Sequence, residues 1–120
     1  MNKWYAASII IYTRLKDSIQ KKIPVWENVV LFKANSYEEA LEKAIKCGKE
    51  QEGDSDNTHN LNGKPAKWVF GGVRKIIECV DSENQPGDGI EVTYSRFEVN
   101  SEEELQRLIN GDSVKLKYEE

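Results

Sequence analysis

One histidine and two cysteines are spread over 120 residues, and each scarcity removes a class of chemistry. The histidine, His59, sits in a run of turn formers, so a serine or cysteine nucleophile has no second histidine to serve as its base. Cys47 falls on an expected helix and Cys79 on an expected strand, at a spacing that matches no Cys-x-x-Cys redox or zinc pattern. Two buried, reduced thiols are expected, in keeping with a cytoplasmic protein. No apolar run approaches the roughly 18 residues of a membrane span; the longest, Ala6–Tyr12, is interrupted by Ser8. The N-terminus enters a strand directly after Lys3, without the cleavage site of a signal peptide.

Basic excess is also missing. A net charge of −4 gives no global attraction for phosphate backbones, which leaves Arg14-Leu15-Lys16 and Lys21-Lys22, in the first hairpin loop, as the one local patch for RNA. Metal-loop spacing fails as well: Asp54 and Asp56 fit the first and third positions of a calcium loop, but His59 replaces its glycine and Pro65 its bidentate glutamate. Gly71-Gly72-Val73-Arg74-Lys75 lacks Walker spacing. The sequence therefore nominates no catalytic residue, no metal site and no cofactor.

What is present is pattern. At 38% hydrophobic and 32% charged residues, the chain is too apolar for disorder and suits one domain, 1–120, burying roughly two-thirds of its unfolded surface. Trp4–Thr13, Val25–Ala34, Ala66–Val80 and Ile90–Val99 are β-branched and aromatic runs read as strands, the first and third apolar on both faces. Gly71-Gly72 inside the third predicts a bulge or a close backbone approach. Ser36-x-x-Glu39 and Ser101-x-x-Glu104 are capping boxes that start two helices, the first running to about Gln51 and the second burying Leu105, Leu108 and Ile109. Ser113–Tyr118 reads as a short fifth strand at an edge.

Lys3-Trp4 is echoed at Lys67-Trp68 and Asn35-Ser36-x-Glu38-Glu39 at Asn100-Ser101-x-Glu103-Glu104, displaced by 64 and 65 residues. This spacing predicts duplicated ββα units, about 3–52 and 66–111, joined by a mobile loop over 53–65. The fold expected is α+β: a two-layer antiparallel sheet in the order 2-1-3-4 with both helices on one face. Two short helices leave apolar sheet surface uncovered, and Trp4, Trp26 and Trp68 are expected to populate it. Glu27, set in an apolar strand, calls for a partner such as Arg74 or Arg96.

At Trp4-Tyr5-Ala6-Ala7, Val25-Trp26-Glu27-Asn28-Val29, Ser36-x-Glu38-Glu39-Ala40 and Gly87-x-Gly89-Ile90-Glu91-Val92, the chain resembles a small bacterial family catalogued as a domain of unknown function, number 4288. The resemblance implies a small, stand-alone bacterial cytoplasmic protein, and carries neither an activity nor site residues.

Three functions compete on these observations. The first is a non-enzymatic protein-binding module using Trp4, Trp26 and Trp68, in one version an acidic immunity-type inhibitor of a toxin, with self-association as its variant. The second is a small-molecule-binding domain or minor enzyme with a pocket near Glu27 and Arg74. The third is RNA binding through the basic first hairpin.

Overall fold

A computed structural model describes residues 2–54, 58–79 and 84–119. Its centre is β1 (Lys3–Leu15), flanked by β2 (Val25–Ala34) on one side and by β4 (Lys64–Glu78) on the other, both antiparallel to it. A two-residue strand, β3 (Asn60–Leu61), pairs with the start of β4 and completes a curled sheet of order β2-β1-β4-β3. β1 is central because both its faces are apolar: Tyr5 through Ile9 are all buried, and so are Ile11 and Thr13.

Helix α1 (Tyr37–Glu50) lies across one face of this sheet, in contact with β1, β2 and β4. Ala40, Ala44 and Gly48 recur every fourth residue and make its buried edge. Small residues let the helix settle close. A methyl group on Gly48 would stand 2.4 Å from the Phe70 ring. Ala44 joins Ala7, Ile9 and Ile11 in the core, with Val30, Phe32, Phe70, Val73 and Ile76 packed around them.

The Gly71-Gly72 expectation holds. The β1–β4 register shifts between Ser8 and Ile9 and between Ile10 and Ile11, which makes Arg74 and Gly71 the extra residues of two bulges. Gly71 also meets Ile10 closely, with Cγ2 3.1 Å from where a Cβ would be. Gly72 takes φ +140°, a backbone angle that side chains disfavour. Two bulges in so short a stretch sharpen the twist of β4 and curl the sheet.

The second half departs from the expected order 2-1-3-4. The strand expected third is β4 and pairs with β1 as anticipated, with Val80 outside the described residues. Ile90–Val99 does not continue the ladder. Instead, 90–95 runs as irregular chain along the face of β4 turned away from α1, where the Cys79 thiol donates to the Val92 carbonyl at 3.4 Å and Lys75 Nζ donates to the Tyr94 carbonyl. Its apolar alternation does not become core: Ile90 is half-buried, whereas Val92 and Tyr94 are 36% and 57% exposed. Only β5 (Arg96–Glu98) is extended, and it pairs with β6 (Lys117–Glu119) in a separate two-stranded ribbon, so the fifth strand borders β5 and not the main sheet.

Helix α2 (Glu102–Asn110) connects those two strands. Among the described residues it packs against no other element, and none of its residues is buried. Leu105 and Ile109 are exposed and Leu108 half-buried, contrary to the buried edge expected. No second ββα unit therefore stands beside the first, and the helices do not share one face of the sheet. The radius of gyration, 17.4 Å, exceeds the roughly 14 Å of a compact chain this long.

Candidate functional site

The pleat of the sheet separates the five residues singled out from the sequence. Trp26 lies opposite Ile11, and Trp68 opposite Thr13, on the face that carries α1. Their rings meet edge to face, with centroids 4.9 Å apart. Glu27 and Arg74 are on the other face, where a 3.4 Å ion pair joins them across the sheet. The Arg74 guanidinium also lies 3.9 Å above the Tyr118 ring of β6. Trp4 is at the far end of that second face, under the Lys33 ammonium at 5.8 Å. Trp4 and Trp68 thus occupy unrelated surroundings although their strands pair.

Around Trp68 the structure assembles residues that the sequence reading left in a loop. Asn62 and Gly63 form a two-residue turn, with φ +52° and +82°, between β3 and β4. This turn brings His59 back over Trp68, their rings stacked 4.3 Å apart at 12°. His59 Nε2 is also 3.2 Å from the hydroxyl of Thr13, a buried residue. Gly53, at φ +93° and two residues past the Gln51 cap of α1, exchanges two backbone hydrogen bonds with Trp68, of 2.9 and 3.1 Å. The Asn62-Gly63 dipeptide was the signal for this arrangement, a hairpin turn read only as loop composition.

Asp54 organises the near side. Its Oδ1 accepts the N–H groups of Thr58 and His59, both at 3.1 Å, and its Oδ2 pairs with Lys16 at 3.1 Å. Desolvation pushes this carboxyl up, but the His59 N–H, Lys16 and the Thr58 N–H outweigh it and hold it below the usual aspartate range. Asp54 is therefore an acceptor for its own loop, while Asp56 lies outside the described residues. Among the described residues, no three histidine, cysteine or carboxylate groups converge as metal ligands would.

Two clefts share Trp68 and Gln51 as a common wall. One, about 330 Å³, is lined by Ile11, Trp26, Asn28, Gln51 and Trp68. The other, about 400 Å³, adds His59 and Thr58 to an acidic rim of Glu50, Glu52 and Asp54. Glu52 reaches β4 itself, where its carboxylate accepts the Phe70 N–H at 3.1 Å. Aromatic faces beside carboxylates form a surface suited to a cation, because ring quadrupole and formal charge attract it together. The histidine–hydroxyl contact of this site, His59 to Thr13, ends on a buried hydroxyl.

Elsewhere the chemistry is sparser. The cleft beside β6, about 240 Å³, is lined by Lys75, Ile76, Ile77, Tyr94, Arg96, Tyr118 and Glu119, with neither Glu27 nor Arg74 among them. Burial pushes the Cys79 thiol up, so it persists as the neutral donor to Val92. Cys47 is only half-buried, not buried as expected, and both cysteines are free thiols. In the first hairpin, Lys16 is engaged by Asp54 and Arg14 lies over the Tyr12 ring, while the Gln20 amide closes the loop by bonding Leu15 N and Thr13 O. No helix among the described residues is long and apolar enough to cross a membrane.

No curated protein and no solved structure matches the chain. A family model does, over residues 4–94, a span that takes in β1 to β4, α1 and both aromatic clefts and stops before β5. The chain belongs to the family described as Domain of unknown function (DUF4288).

Proposed function

We propose that this protein is a non-enzymatic binding module, and that it takes a cationic side chain of a basic protein partner in the paired clefts around Trp68. The observation that carries this reading is the aromatic set Trp26, Trp68 and His59 rimmed by Glu50, Glu52 and Asp54. Trp26 remains 44% exposed although it touches Trp68, and an exposed tryptophan in contact with a second aromatic is a typical interface anchor. The net charge of −4 assists the encounter with a basic partner. An immunity-type inhibitor that masks the basic active site of a bacterial toxin is the specific form of this proposal. Trp4 takes no part in the cleft.

The test is titration with an arginine-rich peptide, read by tryptophan fluorescence. Binding is expected to weaken at least tenfold in Trp26→Ala and to fall in Glu50→Gln, while Trp4→Ala binds as the parent does. Equal affinity in all three variants, or no binding at low salt, would sink the proposal. A toxin-like gene immediately upstream would support the inhibitor form, and a solitary gene would count against it.

A further inference from the structure

We infer that β2 is the contact edge of a symmetric homodimer, pairing antiparallel with β2 of a second copy about a twofold axis at Val30. The inference is independent of the clefts around Trp68.

β2 is an edge strand, ten residues long, with no strand on its outer side among the described residues. Thr13 N–H donates to the Pro24 carbonyl at 3.1 Å, one step beyond the Tyr12–Val25 pair, and this sets the parity of the ladder. Trp26, Asn28, Val30, Phe32 and Ala34 exchange backbone hydrogen bonds with β1. Val25, Glu27, Val29, Leu31 and Lys33 turn theirs outward. Soluble proteins blunt such edges with proline, bulges, shortness or unpaired charge. β2 has none of the first three, its register with β1 is unbroken, and Val25 and Val29 are 57% and 46% exposed.

The outward residues also choose one register. Read against itself with Val30 at the axis, β2 sets Glu27 opposite Lys33 of the other copy, Val29 opposite Leu31, and the same two pairs again by symmetry. All four belong to the outward-bonding set, so each is a hydrogen-bonded pair, and all four side chains share the face away from α1. Moving the axis to Val29 or Leu31 loses both ion pairs. Opposite charges directly across a ladder stabilise it, and like charges destabilise it. Glu27 keeps acceptor capacity beyond its bond to Arg74, and the Lys33 carbonyl, which accepts Lys43 Nζ, has a second lone pair for the incoming N–H. An isologous contact of this kind closes after two copies. It places the two Trp26 residues about 27 Å apart along the joined strands, at 3.4 Å per residue.

Light scattering after size exclusion tests it, at about 100 μM protein, where a dimer with a Kd near 10 μM is mostly assembled. The expected mass is twice the 13.8 kDa of the chain. Glu27→Lys and Lys33→Glu should each give monomer, and the double swap Glu27→Lys with Lys33→Glu should restore dimer. Val29→Pro removes only an outward N–H, so it should give a folded monomer with unchanged circular dichroism. A monomeric parent overturns the inference, as does a dimer that persists in Val29→Pro or a double swap that stays monomeric.

Discussion

Ser36 and Ser101 begin two helices in nearly the same way. Each hydroxyl accepts the N–H of the glutamate three residues on at 3.1 Å, from N-cap φ angles of −154° and −156°. In both, the glutamate reaches back one residue further than a capping box predicts, to Asn35 N at 3.0 Å and Asn100 N at 3.3 Å. Beyond the cap the two diverge. α1 presents Ala40, Ala44 and Gly48 to a groove in the sheet, whereas α2 presents Leu105 and Ile109 to solvent. A cap fixes where a helix starts; whether it becomes core depends on a surface shaped to receive it.

Putting one side chain into both helices sharpens that contrast most. At Gly48, the first carbon of a leucine already collides with the Phe70 ring, so Gly48→Leu should lower the unfolding free energy by about 2–3 kcal/mol, after any gain in helix propensity. Gln106→Leu in α2 should change it by less than about 0.5 kcal/mol. Urea denaturation measures both, and comparable losses would show that α2 packs after all.

The caps give the next largest effect. Ser36→Ala should destabilise the whole protein by about 1 kcal/mol, because α1 unfolds with the sheet. Ser101→Ala should leave the denaturation midpoint unmoved and instead speed amide exchange over 102–110, the signature of local unfolding. A global loss from Ser101→Ala would break the distinction.

This difference also marks how far the chain was legible as sequence. Local signals read correctly: both cap serines, the end of α1 near Gln51 and a bulge at Gly71-Gly72. Each depends on residues a few positions apart. The repeat of Asn-Ser-x-Glu-Glu was real as a capping signal and misleading as evidence of a duplicated fold, since a cap recurs wherever a helix needs one. Ile90–Tyr94 alternates like a strand, yet alternation states only that one side wants cover, and here Val92 and Tyr94 stay exposed on irregular chain. Of the site, Trp26 and Trp68 were visible as aromatics, but their meeting depends on β1 register, and His59 arrives through a hairpin turn that composition alone conceals.

Acid should separate the two halves by a smaller margin. Glu39 is held below its ordinary value of 4.5 chiefly by the Asn35 N–H, against a desolvation that raises it, with Lys43 helping. Asp54 is held below 3.8. A carboxylate depressed in the fold stabilises it above its unfolded pKa and loses that contribution as pH falls through the folded one. Stability should therefore be level above about pH 5 and decline below 4.5, with amide exchange rising first at the start of α1 and over 58–59. Glu39→Gln should flatten the decline, and a slope unchanged by that substitution would assign it to other groups.

The smallest expected effect comes from the largest deletion. Ending the chain after Ser95 removes β5, α2 and β6, whose contacts with the body include the Arg74–Tyr118 stack and a cleft shared with Ile76 and Ile77, while Phe97 packs against Tyr118 within the ribbon itself. It retains Tyr94 and Ser95, whose oxygens accept Lys75 Nζ. One partly exposed cation–π contact contributes about 0.5–1 kcal/mol, so the melting temperature should fall by no more than about 5 °C. The unfolding transition should stay cooperative, because the buried residues of both core clusters lie between Tyr5 and Ala44 and their packing partners end at Ile76. That the family match stops at Tyr94 is what a self-sufficient sheet and α1 would produce. A truncated chain that loses its cooperative transition would mean instead that the C-terminal ribbon closes the core from the side opposite α1.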